Sequence, residues 1–449
     1  MEVRKNNLDK TDIFREFPAI LKEELTPAFG CTEPIAIAYC ASKLRDVLGC
    51  APESVVVEAS GNIIKNVKSV IVPNTGGLKG IAAAAAAGIA AGRTEKELEV
   101  IADVSQEDKA KICSCLEKTD FQIKALEDGD KLDICMTGKG NGHTALVRVA
   151  KRHANIVRIE RDGAVLLEEG GETAKKENAA ELLAAECPEA LAAGEKADRS
   201  GLSVANIAAY AEAADLSEIQ ETLDRQIAYN YAIAQEGLAH EWGANIGSVL
   251  LKSRGNDVRN RAAALAAAGS DARMSGCELP VVINSGSGNQ GITVSVPVIE
   301  YAKHMGVSKE TLYRALIVSN LVAIHLKAGI GPLSAFCGAV SAGCAAGCGI
   351  AWLCGGRLEE ISHTLVNSIA IVSGIVCDGA KPSCAGKIAA SVDAGILGYD
   401  MYCQGQQFYA EDGIVSKGVE NTIRNIYRLG AQGMCETDEE IIRIMTDCG

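Results

Sequence analysis

Hydrophobic side chains recur at helical spacing in both flanks of the chain. Residues 12–25 (DIFREFPAILKEEL) are amphipathic, and residues 33–49 (EPIAIAYCASKLRDVLG) carry apolar side chains every three to four positions, the period of a helix with one buried face. From about residue 203 onward, one such segment follows another, with glycine-rich breaks between them. The two flanks, residues 1–53 and 203–449, therefore predict one helical domain.

Residues 54–170 follow a different period. Segments such as SVVVEAS (54–60) are short, rich in β-branched residues and often alternating, which is typical of strands. The sequences RHAN (152–155) and RDG (161–163) have the length and composition of hairpin connections. We expect an α+β fold: the mainly helical domain, an inserted α+β domain at 54–170 with a largely antiparallel sheet, and an alanine-rich helical connector at 171–202.

The amino-acid composition argues against some classes of binding partner. The 449 residues carry a formal net charge of −14, which argues against a general affinity for nucleic acid or an anionic membrane. The charged N-terminal segment lacks the apolar core of a signal peptide, and no run reaches the ~18 uninterrupted apolar residues of a membrane span. We expect a cytoplasmic protein that binds neither nucleic acid nor membrane.

Seventeen cysteines are many for such a chain. Outside the secretory route, thiols serve as metal or cluster ligands, as catalytic groups or as small apolar packing residues. Cys377 and Cys384 bracket the loop CDGAKPSC between two apolar stretches. Their spacing does not match a CxxC zinc knuckle. The loop could place both thiols on zinc or an iron–sulfur centre, with Lys381 supplying positive charge, or they could be unrelated thiols at helix ends.

Two more cysteines stand where helices are predicted to begin. Cys337 follows GIGPLSAF and precedes an alanine- and glycine-rich helix, so it is the best third ligand, whereas Cys344 and Cys348 inside that helix are expected to pack. Cys31, in the turn PAFGCTEP, is predicted to be an exposed thiol of lowered pKa, with Glu33 two residues on. The alternative for Cys31 is a capping turn with an incidental thiol.

A polar, glycine-rich segment offers hydrogen-bond donors. INSGSGNQGIT (283–293) carries Ser285, Ser287 and Asn289 together with backbone amides that could cradle a carboxylate or phosphate. It does not match a P-loop or a dinucleotide fingerprint, and a flexible turn is the alternative. The six histidines show no metal-binding spacing.

Four motifs together resemble the L-cysteine desulfidase family, relatives of the iron–sulfur serine dehydratase α chain. They are PAFGCTEPIAIA, SGSGNQGIT, GPLSAFCGAVSAGCAAGCGIAWL and CDGAKPSCAGKIA, in the family's order along nearly the whole chain. The resemblance implies an oxygen-sensitive [4Fe–4S] cluster with one open iron, ligated by Cys337, Cys377 and Cys384, and no pyridoxal phosphate. It also associates Cys31 with catalysis. The implied reaction converts L-cysteine and water to pyruvate, ammonia and sulfide.

The implied chemistry assigns roles to further residues. An open iron would polarise the leaving group as a Lewis acid. Cys31 is the first candidate for the base and Lys381 the second, while Ser285, Ser287 and Asn289 would hold the carboxylate or amino group of a small amino-acid substrate. Cys448, next to the C-terminus, could close the open iron at rest, or the terminus could simply fray.

Other functions remain open at this point. Serine dehydration needs the same ligand set, and a cluster-bearing redox sensor would need a partner- or DNA-binding module, for which the chain shows no basic patch. Structural zinc would require a fourth protein ligand. Alanine- and glycine-rich helical faces permit close pairing of helices, and we expect a homodimer.

Overall fold

The structure is a computed structural model that describes residues 10–68, 70–127, 129–169, 197–331 and 333–447. The chain divides into two compact units. The described residues of 1–28 and 197–447 form the first unit, and those of 29–169 belong to the second. The first unit begins with helix α1 (Lys10–Glu24) and strand β1 (Pro27–Phe29), at whose last residue the second unit starts. The predicted connector lies outside the described residues, apart from 197–202.

The second unit combines helices with one mixed sheet. Its six strands run in the order β3-β2-β4-β5-β6-β7, and every neighbouring pair is antiparallel except β2 and β3. The elements in chain order are α2 (Thr32–Leu48), β2 (Ser54–Ala59), α3 (Gly61–Val67), α4 (Gly80–Ala91), a 3₁₀ turn (Thr94–Glu99), α5 (Gln106–Lys118), β3 (Asp120–Ala125), β4 (Asp133–Gly140), β5 (His143–Ala150), β6 (Ile156–Arg161) and β7 (Ala164–Glu168).

The α+β prediction and the largely antiparallel sheet are confirmed. Asp162 and Gly163, at φ 50° and 81°, connect β6 to β7, because two consecutive residues of positive φ give a turn whose twist matches the strands. The single parallel pair arises because three helices intervene between β2 and β3, and such a crossover returns the chain in the same direction.

Helix α2 belongs to the second unit, so the structure divides the chain after Ala28 and not near residue 53. A side chain at Gly138 would lie 2.9 Å from Leu44, which places α2 on the sheet. A side chain at Gly88 would lie 2.0 Å from the carbonyl of Ala38, so the backbones of α4 and α2 are in direct contact. Periodicity predicts a helix at α2 but not the surface that buries it.

The first unit continues as a helical domain. Its later elements are α6 (Val204–Ala213), a 3₁₀ turn (Leu216–Glu218), α7 (Gln220–Ala239), α8 (Ile246–Arg254), α9 (Val258–Met274), β8 (Pro280–Val282), α10 (Gly288–Met305), α11 (Lys309–Ala328), α12 (Gly338–Leu353), α13 (Leu358–Val372), α14 (Cys384–Cys403), α15 (Val419–Arg428), a π turn (Leu429–Gly433) and α16 (Cys435–Asp447). In the part of the chain that the structure describes, no helix is both long and apolar enough to cross a membrane.

Helices α12 and α14 are in contact through small residues. A side chain at Gly347 would lie 2.4 Å from the carbonyl of Gly395, and one at Gly395 would lie 2.2 Å from the carbonyl of Gly343. Cys344 and Cys348 are fully buried on α12, and burial raises the pKa of Cys344 to about 12. Both thiols therefore stay protonated and pack, as the sequence predicts.

Candidate functional site

A single antiparallel bridge sets Cys337 beside Cys377. Phe336 pairs with Val376, the amide of Cys337 donates to the carbonyl of Ile375 at 3.3 Å, and the amide of Cys377 donates to the carbonyl of Ala335 at 2.7 Å. Both cysteines are one residue past the bridge on their own strands, so their side chains leave the same face. The two thiols are hydrogen-bonded to each other.

Cys384 lies beside Cys337 and Cys377 because the loop before α14 reverses its direction. Gly379, at φ 92°, takes a left-handed conformation. The Cys384 Sγ accepts the amide of Lys381 at 3.5 Å and donates to the carbonyl of Gly379 at 3.6 Å. Cys384 interacts electrostatically with both Cys337 and Cys377. The three cysteines of the predicted ligand set are thus brought together.

Burial and the neighbouring thiols oppose ionisation of Cys337 and Cys384. The hydrogen bond with Cys377, together with burial, raises the pKa of Cys337 well above its ordinary value. Burial raises the pKa of Cys384, although the Lys381 amide and the charge of Lys387 oppose the shift. Metal ligation requires thiolates, and a bound metal would add positive charge to that of Lys387.

Lys387 is a cation beside this cluster of thiols, and sequence reasoning missed it. It stands one helical turn after Cys384 and forms an ion pair with Asp378. Burial alone would lower the pKa of Lys387, but Asp378 and the charges of Cys384 and Cys337 raise it. The spacing CxxK at the start of a helix was the available signal, since residues three apart share a helical face. Lys381, predicted for this role, contributes its backbone amide.

The donor set fits an iron–sulfur cluster better than a single ion. Among the described residues, no three His, Cys, Asp or Glu side chains close around a position for one metal ion. Structural zinc needs four such ligands at close range. A [4Fe–4S] cluster is larger and is held by cysteine thiolates. Cys337 and Cys384 begin helices α12 and α14, where the helix dipole favours the thiolate form.

Ser285, Ser287 and Asn289 form the start of α10. Ser287 is its N-cap and accepts the amide of Gln290 at 3.5 Å, while Ser285, at φ 50°, donates to Asn284 at 2.8 Å. Asn284 in turn donates to Asn320 at 2.9 Å within the buried core. The segment is therefore an anchored helix start rather than a flexible turn.

The α10 start and the thiols are neighbours in the first unit. A side chain at Gly338 would lie 2.5 Å from Cδ of Gln290. Gln290 follows Asn289, and Gly338 follows Cys337. Glycine at 338 therefore allows the polar loop to lie close to the backbone next to Cys337.

Cys31 lies in the second unit with its own partner. It is the N-cap of α2, and its Sγ donates to Glu33 Oε2 at 3.2 Å. Glu33 also accepts from Thr32 at 3.1 Å and from Asn66 at 2.9 Å. The carboxylate of Glu33 therefore orients the thiol of Cys31.

The predicted exposure of Cys31 is wrong, because the residue is only 2% exposed. A side chain at Gly30 would lie 1.9 Å from Pro73, so the segment around Pro73 covers the turn. Cys448 lies outside the described residues, and its role as a resting ligand stays a prediction.

Comparison with known proteins decides the family. The model of the serine dehydratase alpha chain family matches residues 95–443. This chain belongs to the serine dehydratase alpha chain family. The match includes Cys337, Cys377 and Cys384 together with Lys387, whereas Cys31 precedes it. Iron–sulfur clusters are associated with this family, in agreement with the chemistry of the three thiols.

Relatives extend the family relationship over nearly the whole chain. A UPF0597 protein of Desulfitobacterium hafniense is 57% identical over 434 residues, which are 96% of each chain. A UPF0597 protein of Lachnoclostridium phytofermentans is 49% identical and covers 96% of this chain and 100% of its own. One of Treponema denticola is 43% identical over 98% of this chain and 99% of its own. These matches are long enough to include the segment around Cys31, which precedes the residues matched by the family model.

Proposed function

We propose that this chain is an iron–sulfur lyase that eliminates sulfide from L-cysteine to give pyruvate and ammonia. The observation that carries the proposal is the meeting of Cys337, Cys377 and Cys384 beside the polar start of α10, in a member of the serine dehydratase alpha chain family. The motifs GCTEP and CDGAKPSC support cysteine as the substrate.

The three cysteines would hold a [4Fe–4S] cluster. When bound, the cluster supplies a Lewis-acidic iron with an open position, which favours departure of the β-substituent. Lys387 and the amide of Lys381 stabilise the negative charge of the sulfur ligands. The donors at the start of α10 would bind and orient the substrate.

The reaction balances without an oxidant or reductant. A base takes the Cα proton, the Cα electron pair forms the Cα=Cβ bond, and the Cβ–S bond breaks with its electron pair leaving on sulfur. The resulting aminoacrylate tautomerises to an imine, which water hydrolyses to pyruvate and ammonia. Cys31 is the proposed base, supported by its motif and by the carboxylate of Glu33 that accepts its hydrogen bond. Lys381 is the weaker candidate.

Serine dehydration is the second candidate function. The family model that matches this chain is named for serine dehydratase, and the same thiols would serve. Hydroxide is a poorer leaving group than sulfide, so a site tuned for cysteine need not turn over serine at a comparable rate.

The deciding experiment measures pyruvate release from L-cysteine and L-serine, side by side, by anaerobically reconstituted protein. Release from L-cysteine alone supports the proposal, and faster release from L-serine moves the assignment to a dehydratase. Bound iron with no release from either substrate contradicts both and favours a redox sensor. A colourless protein that retains zinc instead of iron contradicts the cluster itself.

A further inference from the structure

Arg273 is a buried cation with no acidic partner among the described residues. It lies in the last turn of α9, and the residue is 4% exposed. Its Nη1 donates to Asn289 Oδ1 at 3.2 Å, but Nε and Nη2 have no hydrogen-bond partner, and no ion pair within the described ranges includes it. A buried guanidinium normally has its donors satisfied and its charge paired.

The acidic residue closest to Arg273 along the chain already has hydrogen-bond partners. Asp271 accepts the amides of Ala244 and Ile246 at 3.2 and 2.7 Å and so anchors the start of α8. The C-terminal end of α9 gives Arg273 some favourable dipole interaction, but it leaves Nε and Nη2 unsatisfied. We therefore expect the charge of Arg273 to be balanced by an anion that is not part of the described residues.

The guanidinium lies against the positive end of another helix. A side chain at Gly288, the first residue of α10, would be 2.4 Å from Nε and 2.7 Å from Cζ of Arg273. The N-terminus of a helix repels a cation and attracts an anion. An anion bound by both Arg273 and the backbone amides at the start of α10 would satisfy both groups at once.

A free acceptor stands in the same turn of α10. Gln290 is 6% exposed, and its Oε1 has no hydrogen-bond partner. Its amide also lies against Gly338, next to Cys337. Unsatisfied donors on Arg273 and an unsatisfied acceptor on Gln290 match the carboxylate and ammonium groups of an α-amino acid.

We propose that Arg273 binds the substrate α-carboxylate, with Asn289 and the start of α10, and that Gln290 accepts from the α-ammonium group. This proposal rests on the proposed function for the identity of the substrate. The proposal places the α-carboxylate and α-ammonium groups of the substrate at the start of α10, and the β-substituent towards Cys337. Sequence reasoning missed Arg273 because only the fold brings the end of α9 to the start of α10.

The test uses L-alanine, which has both charged groups but no leaving group, and alaninamide, which lacks the carboxylate. Thermal unfolding of reconstituted protein is followed with each ligand for wild type, Arg273→Met and Arg259→Met. Arg259 is the matched control, since it lies on the same helix but pairs with the exposed Asp400. We expect L-alanine, and not alaninamide, to raise the Tm of wild type and of Arg259→Met.

Arg273→Met is expected to keep or raise the Tm of the ligand-free protein, because it removes an unpaired buried charge, and to lose the response to L-alanine. With L-cysteine, its KM should rise about 10- to 100-fold, the effect of losing one or two charge-assisted hydrogen bonds. A variant with lowered Tm that still responds to L-alanine would show that Arg273 is structural. Absence of any response in wild type would also overturn the proposal.

The two proposals fail separately. Lyase activity that survives unchanged in Arg273→Met overturns the carboxylate site and leaves the lyase intact. Carboxylate-dependent stabilisation that requires Arg273, without pyruvate release from L-cysteine or L-serine, keeps the site and overturns the reaction.

Discussion

The thiols of Cys337 and Cys377 are hydrogen-bonded to each other, although helices α12 and α13 separate them in the chain. The bridge between Phe336 and Val376 fixes their backbones, so the two thiols do not depend on a metal to meet. Cys384 completes the group through the loop that begins at Cys377. The three thiols are preorganised by hydrogen bonds of the backbone, which would lower the entropy lost on binding of the proposed cluster.

Replacing a cysteine of this group should remove the cluster. We expect Cys377→Ser to lose iron by at least about tenfold after anaerobic reconstitution, since even outer-shell changes cost that much in metal sites. Iron and sulfide per protein, with the visible absorbance of the cluster, measure the effect. Cys344→Ala is the control, because Cys344 is a buried packing residue on α12. Equal iron loss in both variants would contradict the assignment.

The pH at which Cys384 ionises should depend on Lys387. Burial raises the pKa of Cys384 and the charge of Lys387 lowers it. In the iron-free protein, Lys387→Met should therefore shift alkylation of Cys384 to higher pH. Because its pKa is raised in the folded state, folding favours the protonated thiol of Cys384. The stabilisation that this thiol contributes is therefore fully present below its unfolded-state pKa, and it is lost as pH rises through its folded-state pKa.

The measurement is the rate of alkylation at Cys384 against pH, read by peptide mass spectrometry. Cys113, which is exposed, is the internal control and should follow the same profile in both proteins. A Cys384 profile that does not move would mean that Lys387 does not act on this thiol.

The carboxylate of Glu33 should control the chemistry of Cys31. Its Oε2 accepts the thiol at 3.2 Å, so Glu33→Gln removes the proton acceptor while preserving shape. We expect kcat to fall about 10²- to 10⁴-fold, the usual contribution of a positioned acid–base group, with iron content unchanged. Thr32→Val is the control, because it removes another donor to the same oxygen. Comparable losses in both variants would indicate a structural role for the turn.

Close contact of α12 and α14 should be required for the thiols to meet. Gly347→Ala would place a methyl group 2.4 Å from the carbonyl of Gly395. We expect it to cost about 1–3 kcal/mol in the free energy of unfolding, as overpacking does, and to reduce iron content, since Cys337 and Cys384 begin these two helices. Gly386→Ala is the control on α14, where an added methyl group would meet nothing within 4 Å. It should stabilise the protein by about 0.5–1 kcal/mol, measured by urea unfolding.

The hydrophobic periodicity of the sequence was sufficient to predict the helices and strands of the fold. Alternation at 54–170 predicts strands and the RDG turn predicts a hairpin, because both depend on residues adjacent in sequence. The burial of Cys344 and Cys348 follows in the same way from their alanine- and glycine-rich surroundings. The unit to which α2 belongs could not be predicted, because its apolar face fits a helix bundle and a sheet equally well.

The sequence by itself determined the types of the elements, the cysteines available as ligands and the motifs that indicate iron–sulfur chemistry. Only the tertiary structure decided that Lys387 faces the thiols, that the segment around Pro73 covers Cys31, and that Arg273 meets the start of α10. The physical reason is the separation along the chain between the residues that determine each feature. Helix starts, turns and periods are set by neighbours within a few residues, whereas the charge around a site is set by which distant segments pack together, and that choice belongs to the whole core.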